Sequence, residues 1–253
     1  MSNDLKWMIG SDFHIPYEHP RYIDLWWQVM KWFEPDVVDI LGDLDDNSAC
    51  SRFSDGTPDE TMNAAAKYAP LVKGFFATGR EITPGAQWHF ATGNHEIRYD
   101  NYIAKKAPAL EGLITPELLW GTDTHGIELS YYNNPPVHRF GKYFVHHGPY
   151  AVGKGGDSVR KVMDDFGVSC IVGHSHRQAL VQKSWPLRGE ILTGIELGHM
   201  TDIESSGMGY DLKHDWQPGF AIAHIENGNT PHVQLIQISD DFSAYVDGKR
   251  FQS

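Results

Sequence analysis

The stretch that decides the fold is Val37-Val38-Asp39-Ile40-Leu41-Gly42-Asp43, an apolar run that ends in Gly-Asp. An apolar, β-branched run of this length is typical of a central parallel strand that is buried on both faces. Asp43 stands at the carboxyl end of this strand, where it can serve as a functional group. Because a carboxylate has two oxygens and can bridge two cations, the stretch predicts an α/β core that holds a metal-binding Asp.

Other strand-like runs along the chain also end in polar residues beside glycine. These junctions are Asp12-Phe13-His14 after a first strand, Gly93-Asn94-His95-Glu96 after residues 88–92, His146-His147-Gly148 after residues 143–145, and Gly173-His174-Ser175-His176 after Ser169–Val172. Any one of these residues, taken singly, is more typical of a turn or of a local hydrogen bond than of a metal site. As an ordered set at strand ends, the Asp, Asn and His side chains predict metal binding.

The ordered pattern resembles the calcineurin-like metallophosphoesterase superfamily. The resemblance covers residues 7–176, and its motifs are specific in combination, although each alone is a weak signal. It implies an α/β fold, namely a four-layer α/β/β/α sandwich with two mixed sheets, and a binuclear metal site between strand ends. Further along the chain, residues 196–199 and 215–220 resemble phage-encoded members of the superfamily.

The resemblance also implies how the ligands divide between two metals. The expected ligands are Asp12, His14, Asp43 and His176 for the first metal, and Asp43, Asn94, His147 and His174 for the second. Carboxylate, imidazole and amide donors suit Mn, Fe, Zn, Co or Ni better than Mg, and we expect Mn. His146 and His147 compete for one position, and we favour His147 because it directly precedes Gly148.

Four more residues receive expected roles. The resemblance implies that His95 is not a ligand but donates a proton to the leaving group, and that Asp46 orients its imidazole. Arg98 and Arg177 follow ligand motifs, and each could bind a substrate phosphate or form a surface salt bridge. Asn47 stands where phosphoprotein phosphatases of this superfamily carry an Arg, which argues against protein dephosphorylation.

The 253 residues predict a single domain, since no Gly/Ser/Pro-rich linker or charged block divides them. Apolar residues recurring from Ile23 to Phe33 predict a crossover helix, and Thr57 and Pro58 predict the start of a second helix that Pro70 should kink or interrupt. A mostly helical insertion is expected at about residues 97–120, where the resemblance suggests that it caps the site. Strand-like runs at Gly219–Glu226 and at residues 232–239 are expected to complete a second sheet.

Composition sets further limits. The net charge of −12 argues against nonspecific binding to duplex nucleic acid, although divalent cations would still allow a phosphate substrate. Two cysteines, Cys50 and Cys170, favour a reduced cytoplasmic protein. No run of about 20 apolar residues or secretory leader is visible, so we expect no membrane partner. The oligomeric state is not predictable from these features.

Three classes of function fit this pattern. The first is a phosphoesterase that hydrolyses a small-molecule or nucleotide-like mono- or diester by attack of a metal-bridging hydroxide. The second is a DNA end-processing nuclease of the repair exonuclease type, which the acidic charge disfavours. The third is a non-catalytic binding module on the same fold, which the complete ligand set disfavours. We therefore expect a phosphatase or phosphodiesterase.

Overall fold

The computed structural model describes residues 4–57, 60, 64–113, 115–205 and 215–253. The decisive stretch forms β2 (Val37–Leu41), which is buried along its whole length. It lies between parallel neighbours β1 (Leu5–Gly10) and β3 (Gln87–Ala91). Since parallel strands in a covered sheet face apolar layers on both sides, the continuous apolar run is explained.

The remaining strands are β4 (Ile127–Ser130), β5 (Val137–His138), β6 (Tyr143–His146), β7 (Ser169–Val172), β8 (Gln178–Trp185), β9 (Glu190–Leu197), β10 (Gly219–Glu226), β11 (Thr230–Gln237), β12 (Ser243–Val246) and β13 (Lys249–Gln252). One sheet has the order β11-β10-β1-β2-β3-β4, and a second has the order β5-β6-β7-β9-β8. Each sheet contains parallel and antiparallel pairs.

The helices are α1 (Pro20–Phe33), α2 (Ala64–Ile82), α3 (Ile97–Lys106), α4 (Pro116–Trp120), α5 (Thr122–His125) and α6 (Asp157–Phe166). Apolar side chains of α1 and α2 pack on the outer face of the first sheet, and those of α6 pack on the second. A separate apolar cluster lies between the two sheets. The predicted four-layer α/β/β/α sandwich with two mixed sheets is therefore confirmed.

Local sequence explains how α1 is bounded. The His19 side chain accepts a hydrogen bond from the Arg21 backbone N–H, and Pro20 occupies the first helical position, where its missing N–H costs nothing. Glu34 ends the helix in a left-handed conformation. Trp26, Met30 and Phe33 are buried, as the predicted apolar stripe requires.

The structure corrects two expectations. β10 and β11 do not belong to the second sheet, because β10 pairs antiparallel with the free edge of β1 and extends the first sheet. Pro70 does not interrupt its helix, which runs through it to Ile82 and is anchored in the core by Val72 and Phe76. Pro58, at the expected start of the second helix, lies outside the described residues.

The expected insertion at residues 97–120 is helical where it is described. It contains α3, a short 3₁₀ turn at Pro108–Leu110 and α4, so Pro108 and Pro116 each begin a new helical segment. Trp120, at its end, is buried against Phe90 of β3. Among the described residues, none of the helices combines the length and the apolar character that crossing a bilayer would require.

Candidate metal centre

The loops that follow β1, β2, β3, β6 and β7 converge at the carboxyl ends of these strands. Several side chains there sit on left-handed backbone with positive φ, namely Asp12, His14, Asp43, His174 and His176. This conformation is uncommon for residues other than glycine and is kept where the surrounding structure fixes it, as it often is at functional sites. The backbone thus turns each side chain toward a common centre.

Two glycines make the close approach possible. A Cβ on Gly93 would collide with the carboxylate of Asp43, and a Cβ on Gly173 would collide with Ser11 and with the carboxylate of Asp12. Glycine beside the site residues is therefore a steric requirement of these two loops.

One group of donor atoms consists of Asp12, His14 and His176, all buried and all within 4.8 Å of one another. Asp12 Oδ1 lies 3.1 Å from His176 Nε2 and 3.9 Å from His14 Nε2. The two imidazole Nε2 atoms are 3.0 Å apart. A proton or a cation must lie between these two nitrogens, because lone pairs at that distance repel each other.

A second group consists of Asp43, His147 and His174. His147 Nε2 lies 3.2 Å from Asp43 Oδ2 and 3.0 Å from Asn94 Oδ1. The opposite nitrogen, His147 Nδ1, is 2.7 Å from the carbonyl of Leu41, to which it donates, so that Nε2 is left as the ligand atom. The structure thus brings His147, and not His146, to Asp43.

Asp43 and Asp12 connect the two groups. Asp43 Oδ2 is 3.9 Å from His14 Nε2 of the first group. In return, the backbone N–H of His174, in the second group, donates to Asp12 Oδ2 at 2.9 Å. The two groups therefore form one continuous site with Asp43 between them.

The donor atoms fit divalent cations. Atoms bound to one cation at about 2.1 Å lie about 3.0–3.5 Å apart, which matches the shorter separations in both groups. Asp12 Oδ1 is buried, and among the described residues no group is aligned to donate a hydrogen bond to it, not even His176 Nε2 at 3.1 Å, although a buried carboxylate oxygen normally accepts one. A cation held beside Asp12 and His176 would satisfy this oxygen.

Electrostatics prepare most of these groups for metal binding. Burial alone would raise the pKa of Asp12, but His176 and its neighbours lower it to about 2, so Asp12 is charged. Burial lowers the pKa of His174 to about 4, with a smaller contribution from the charge of His147, so His174 is neutral. Charged carboxylates and neutral imidazoles are the forms that bind metal.

His147 differs from His174. Burial opposes its charge, but Asp43 raises its pKa to about 10, so it must release a proton to bind a metal.

Asp46 joins His95 to the ligand set. Its carboxylate accepts a hydrogen bond from His14 Nδ1 at 3.0 Å. His95 Nδ1 donates to the backbone carbonyl of Asp46 at 2.8 Å and lies 3.1 Å from its carboxylate. His95 Nε2 lies 3.8 Å from Asp43 Oδ2, so the imidazole is directed toward the centre. His14, Asp46 and His95 form a third group of buried donor atoms within 4.8 Å of one another. Burial opposes the charge of Asp46, but the two imidazoles hold its pKa well below the usual value.

The two arginines differ in their surroundings. Arg98 donates from Nη2 to His95 Nε2 at 2.7 Å and from Nη1 to the carbonyl of Asp46 at 3.1 Å. Arg177 instead donates from Nε to Asp215 at 3.2 Å and forms an ion pair at the surface. The structure thus places Arg98 beside the expected proton donor and gives Arg177 a salt-bridge partner.

Two buried glutamates support the loops, and the sequence assigned a role to neither. Glu96 accepts backbone hydrogen bonds from Asp43, Asp45 and Gly93. Burial raises the pKa of Glu96 to about 8, with a smaller contribution from the charge of Asp43. Because it joins the loops after β2 and β3, Glu96 fixes the distance between Asp43 and Asn94.

Glu196 does the same for the other sheet. Its carboxylate accepts from the N–H groups of Gly156 and Val159 at the start of α6 and from Ser175 Oγ at 3.1 Å. It therefore holds the loop that carries His174 and His176. In the sequence, Glu196 could have been noticed as a single carboxylate among the mostly apolar residues that follow Ile191 in β9, a segment that is buried from Leu192 onward.

Comparisons with known proteins complete this description. No protein-family model matches the chain. It is 26% identical over 241 residues to the gene 54 protein of Mycobacterium phage D29, which covers 91% of this chain and 92% of that protein. It is also 26% identical over 253 residues to the gene 54 protein of Mycobacterium phage L5, with 96% of each chain covered.

Similar solved structures include Vps29 from Cryptosporidium parvum, with a TM-score of 0.49 and 14% identity over 98% of this chain and 95% of that chain. A dimetal phosphatase from Danio rerio gives a TM-score of 0.42 and 11% identity over 88% of this chain and 93% of that chain. The chain is thus similar to phage-encoded proteins along nearly its whole length.

Proposed function

We propose that this chain is a metal-dependent phosphoesterase that hydrolyses a small-molecule or nucleotide-like phosphate ester. The residues proposed to hold two divalent cations, with Mn the first expectation, are Asp12, His14, Asp43, Asn94, His147, His174 and His176. The observation that carries the proposal is the position of Asp43, whose Oδ2 faces His147 Nε2 at 3.2 Å and His14 Nε2 at 3.9 Å. A carboxylate between two sets of imidazoles suits a shared ligand.

When bound, two such cations supply Lewis acidity to phosphoryl oxygens and lower the pKa of a bound water, which makes hydrolysis possible at neutral pH. The protein contributes a buried, polar and preorganised pocket. Asp12, Asp43 and Asp46 provide negative charge, which balances the cations without requiring a cysteine.

His95 is the proposed general acid. The backbone carbonyl of Asp46 accepts the Nδ1 proton of His95, and the Asp46 carboxylate lies 3.1 Å from the same nitrogen. Both contacts orient the ring and leave Nε2 to exchange a proton with the leaving-group oxygen. In the present arrangement Arg98 donates to Nε2. A protonated Nε2 would no longer accept from Arg98, so the guanidinium would be free to bind phosphoryl oxygens of the substrate.

The decisive experiment is a substrate panel with Mn-loaded protein. It contains p-nitrophenyl phosphate, bis-p-nitrophenyl phosphate, 2′,3′- and 3′,5′-cyclic nucleotides, and single- and double-stranded DNA. We expect hydrolysis of a phosphoester without cleavage of DNA, and loss of that hydrolysis in EDTA. Cleavage of oligonucleotides would favour the nuclease alternative, and inactivity of a protein that retains Mn would favour the binding module.

Asp43→Asn purified in parallel separates the site from a contaminating phosphatase, whose activity would persist in it, and His138→Ala is the matched control. His138→Ala removes an exposed imidazole away from the centre and should behave as the wild-type protein does.

The similarity to two mycobacteriophage proteins supports a phage-type member of the superfamily. A cytoplasmic site of action is part of the proposal.

A further inference from the structure

A cleft of about 330 Å³ opens on the far side of Arg98 from the metal centre. It lies between the loop at residues 50–55 and helix α3. Its volume is at the lower end of the range for small-molecule sites, about 300–1,000 Å³. A cleft of this size suits one nucleotide-sized group better than a longer strand.

The cleft is cationic although the chain is acidic. Among the described residues it is lined by four cations and two carboxylates, an excess of two positive charges, whereas the whole chain carries −12. Lys106 pairs with Asp55 and with Glu60, and Lys105 pairs with Asp55. The excess charge therefore falls on Arg52 and Arg98.

The cleft also offers an aromatic surface. Phe53 is 77% exposed, and the Arg52 guanidinium lies 4.8 Å from the centre of its ring. An exposed ring beside a cation is a common arrangement for stacking a base while binding a phosphate.

Arg98 connects the cleft to the proposed chemistry. It lines the cleft, and its Nη2 donates to His95 Nε2, the nitrogen that would meet the leaving-group oxygen. A leaving group in contact with His95 would therefore extend past Arg98 toward Arg52 and Phe53.

The geometry points to a leaving-group subsite for a nucleotide that carries a second phosphate. This inference rests on the proposed phosphoesterase function and deepens it. Arg52 and Arg98 bind the second phosphate, and Phe53 stacks on the base. The preferred substrate is then a short phosphodiester whose leaving group is a phosphorylated nucleoside.

The first test measures binding without catalysis. Thymidine 3′-monophosphate and thymidine 5′-monophosphate are titrated into metal-free protein in EDTA by isothermal titration calorimetry, with unphosphorylated thymidine and an octathymidylate in parallel. We expect one of the two monophosphates to bind about tenfold more tightly than thymidine. Equal binding of thymidine and both monophosphates, or tighter binding of the octamer, would overturn the inference.

Matched variants locate the subsite. Arg52→Ala and Phe53→Ala should each weaken binding of the more tightly bound monophosphate by about tenfold or more, the range found when a charge pair or a stacked base is removed. The controls are Arg188→Ala and Leu187→Ala, since Arg188 also lies over an aromatic ring, that of Trp185, and Leu187 is fully exposed. If the control variants lose as much affinity as the cleft variants, the subsite is not where we infer it.

The second test measures specificity in the Mn-loaded enzyme. Thymidylyl-thymidine is compared with its derivatives that carry one additional 5′- or 3′-phosphate, and each kcat/KM is divided by that for bis-p-nitrophenyl phosphate. We expect about a tenfold advantage for one phosphorylated derivative, which Arg52→Ala reduces and Arg188→Ala preserves. Hydrolysis of bis-p-nitrophenyl phosphate without this advantage refutes the subsite alone. Failure to hydrolyse any ester refutes the proposed function, while the metal-free titration still tests the subsite.

Discussion

Asp39 lies within the central strand β2, and Asp43 lies four residues later, just after its carboxyl end. Both are buried beside a histidine, yet their surroundings differ. Asp39 is fully paired: it accepts hydrogen bonds from Trp7 Nε1, from His89 Nδ1 at 2.6 Å and from Arg139 Nε at 3.1 Å. Asp43 faces several imidazoles but, within the described part of the chain, no Lys or Arg.

The difference lies in how each negative charge is balanced. Around Asp39, Arg139 supplies a permanent positive charge and every carboxylate oxygen has a donor, so the cluster is complete. Around Asp43, balance depends on imidazoles whose charge can be exchanged for that of a cation. Burial of an Asp–His pair therefore does not by itself indicate a metal site. What distinguishes Asp43 from Asp39 is that its negative charge is balanced by imidazoles, which can release their protons to a cation.

The largest effect should come from Asp43→Asn. The amide keeps the shape of the side chain but removes the charge shared between the two donor groups. We expect fewer than two Mn ions per chain by elemental analysis and a loss of turnover of about 10³-fold or more, because the cations supply several kcal/mol of stabilisation. Normal Mn content and activity would show that Asp43 resembles Asp39 after all.

His95→Ala tests a residue that touches the centre without being a proposed ligand. Both metals should remain, while turnover of esters with poor leaving groups should fall by about 10²–10⁴-fold, the usual contribution of a general acid. Nitrophenyl esters should lose much less, because their leaving group needs little protonation. Equal losses for alkyl and nitrophenyl esters would argue against proton donation.

Asp39→Asn should affect stability instead of chemistry. Its removal leaves the Arg139 guanidinium, which is only 12% exposed, without its main partner. Breaking such a buried pair costs about 3–5 kcal/mol, and we expect the lower end because Glu128 lies 3.8 Å from Arg139. Urea denaturation in EDTA measures the free energy of unfolding, with exposed Asp24→Asn as the control. A large drop in kcat of the folded variant would mean that the two aspartates are not functionally separate.

The pH dependence of this difference gives a sharper test. Burial by itself raises the pKa of Asp39, but the hydrogen bond from His89 and the charge of Arg139 lower it more, so the net shift is downward. A lowered pKa contributes stability above the unfolded value, about 3.9, and this contribution is lost as the pH falls through the folded value. The stability difference between wild type and Asp39→Asn should therefore shrink below pH about 4, by at most about 1.4 kcal/mol per pH unit. An unchanged difference between pH 5 and pH 3 would contradict the assignment.

Much of the fold is predictable because the pattern is local. The buried run at β2 and the apolar stripe of α1 follow from side-chain periodicity alone. The sheet membership of β10 is not predictable in this way, since alternation shows that a strand is half-buried but not which edge it joins. The hairpin of β12 and β13 was not predicted. It packs near α1, and these contacts join residues that are far apart in the sequence.

The site shows the same limit. Asn94 and His174 can be found because each directly follows a glycine at a strand end, and Asp12 because it follows a strand in an Asp-x-His motif with His14. Glu196 has no such motif, because its partners at the start of α6 are 37 and 40 residues away in sequence. Residues that support a site through long-range hydrogen bonds are recognised only in the folded chain.

Glu196→Gln tests this supporting role and should have the smallest effect. The amide retains one acceptor but presents N–H to the donors of Gly156, Val159 or Ser175, so the loop carrying His174 and His176 loses part of its anchor. Removing support of this kind commonly weakens metal binding by about 10–100-fold, and we expect about tenfold, measured as the Kd for Mn by calorimetry. Glu190→Gln, at the exposed start of the same strand, is the matched control. If Glu196→Gln binds Mn as tightly as Glu190→Gln does, the loop is fixed by its own backbone, and the left-handed conformations of His174 and His176 suffice to position the ligands.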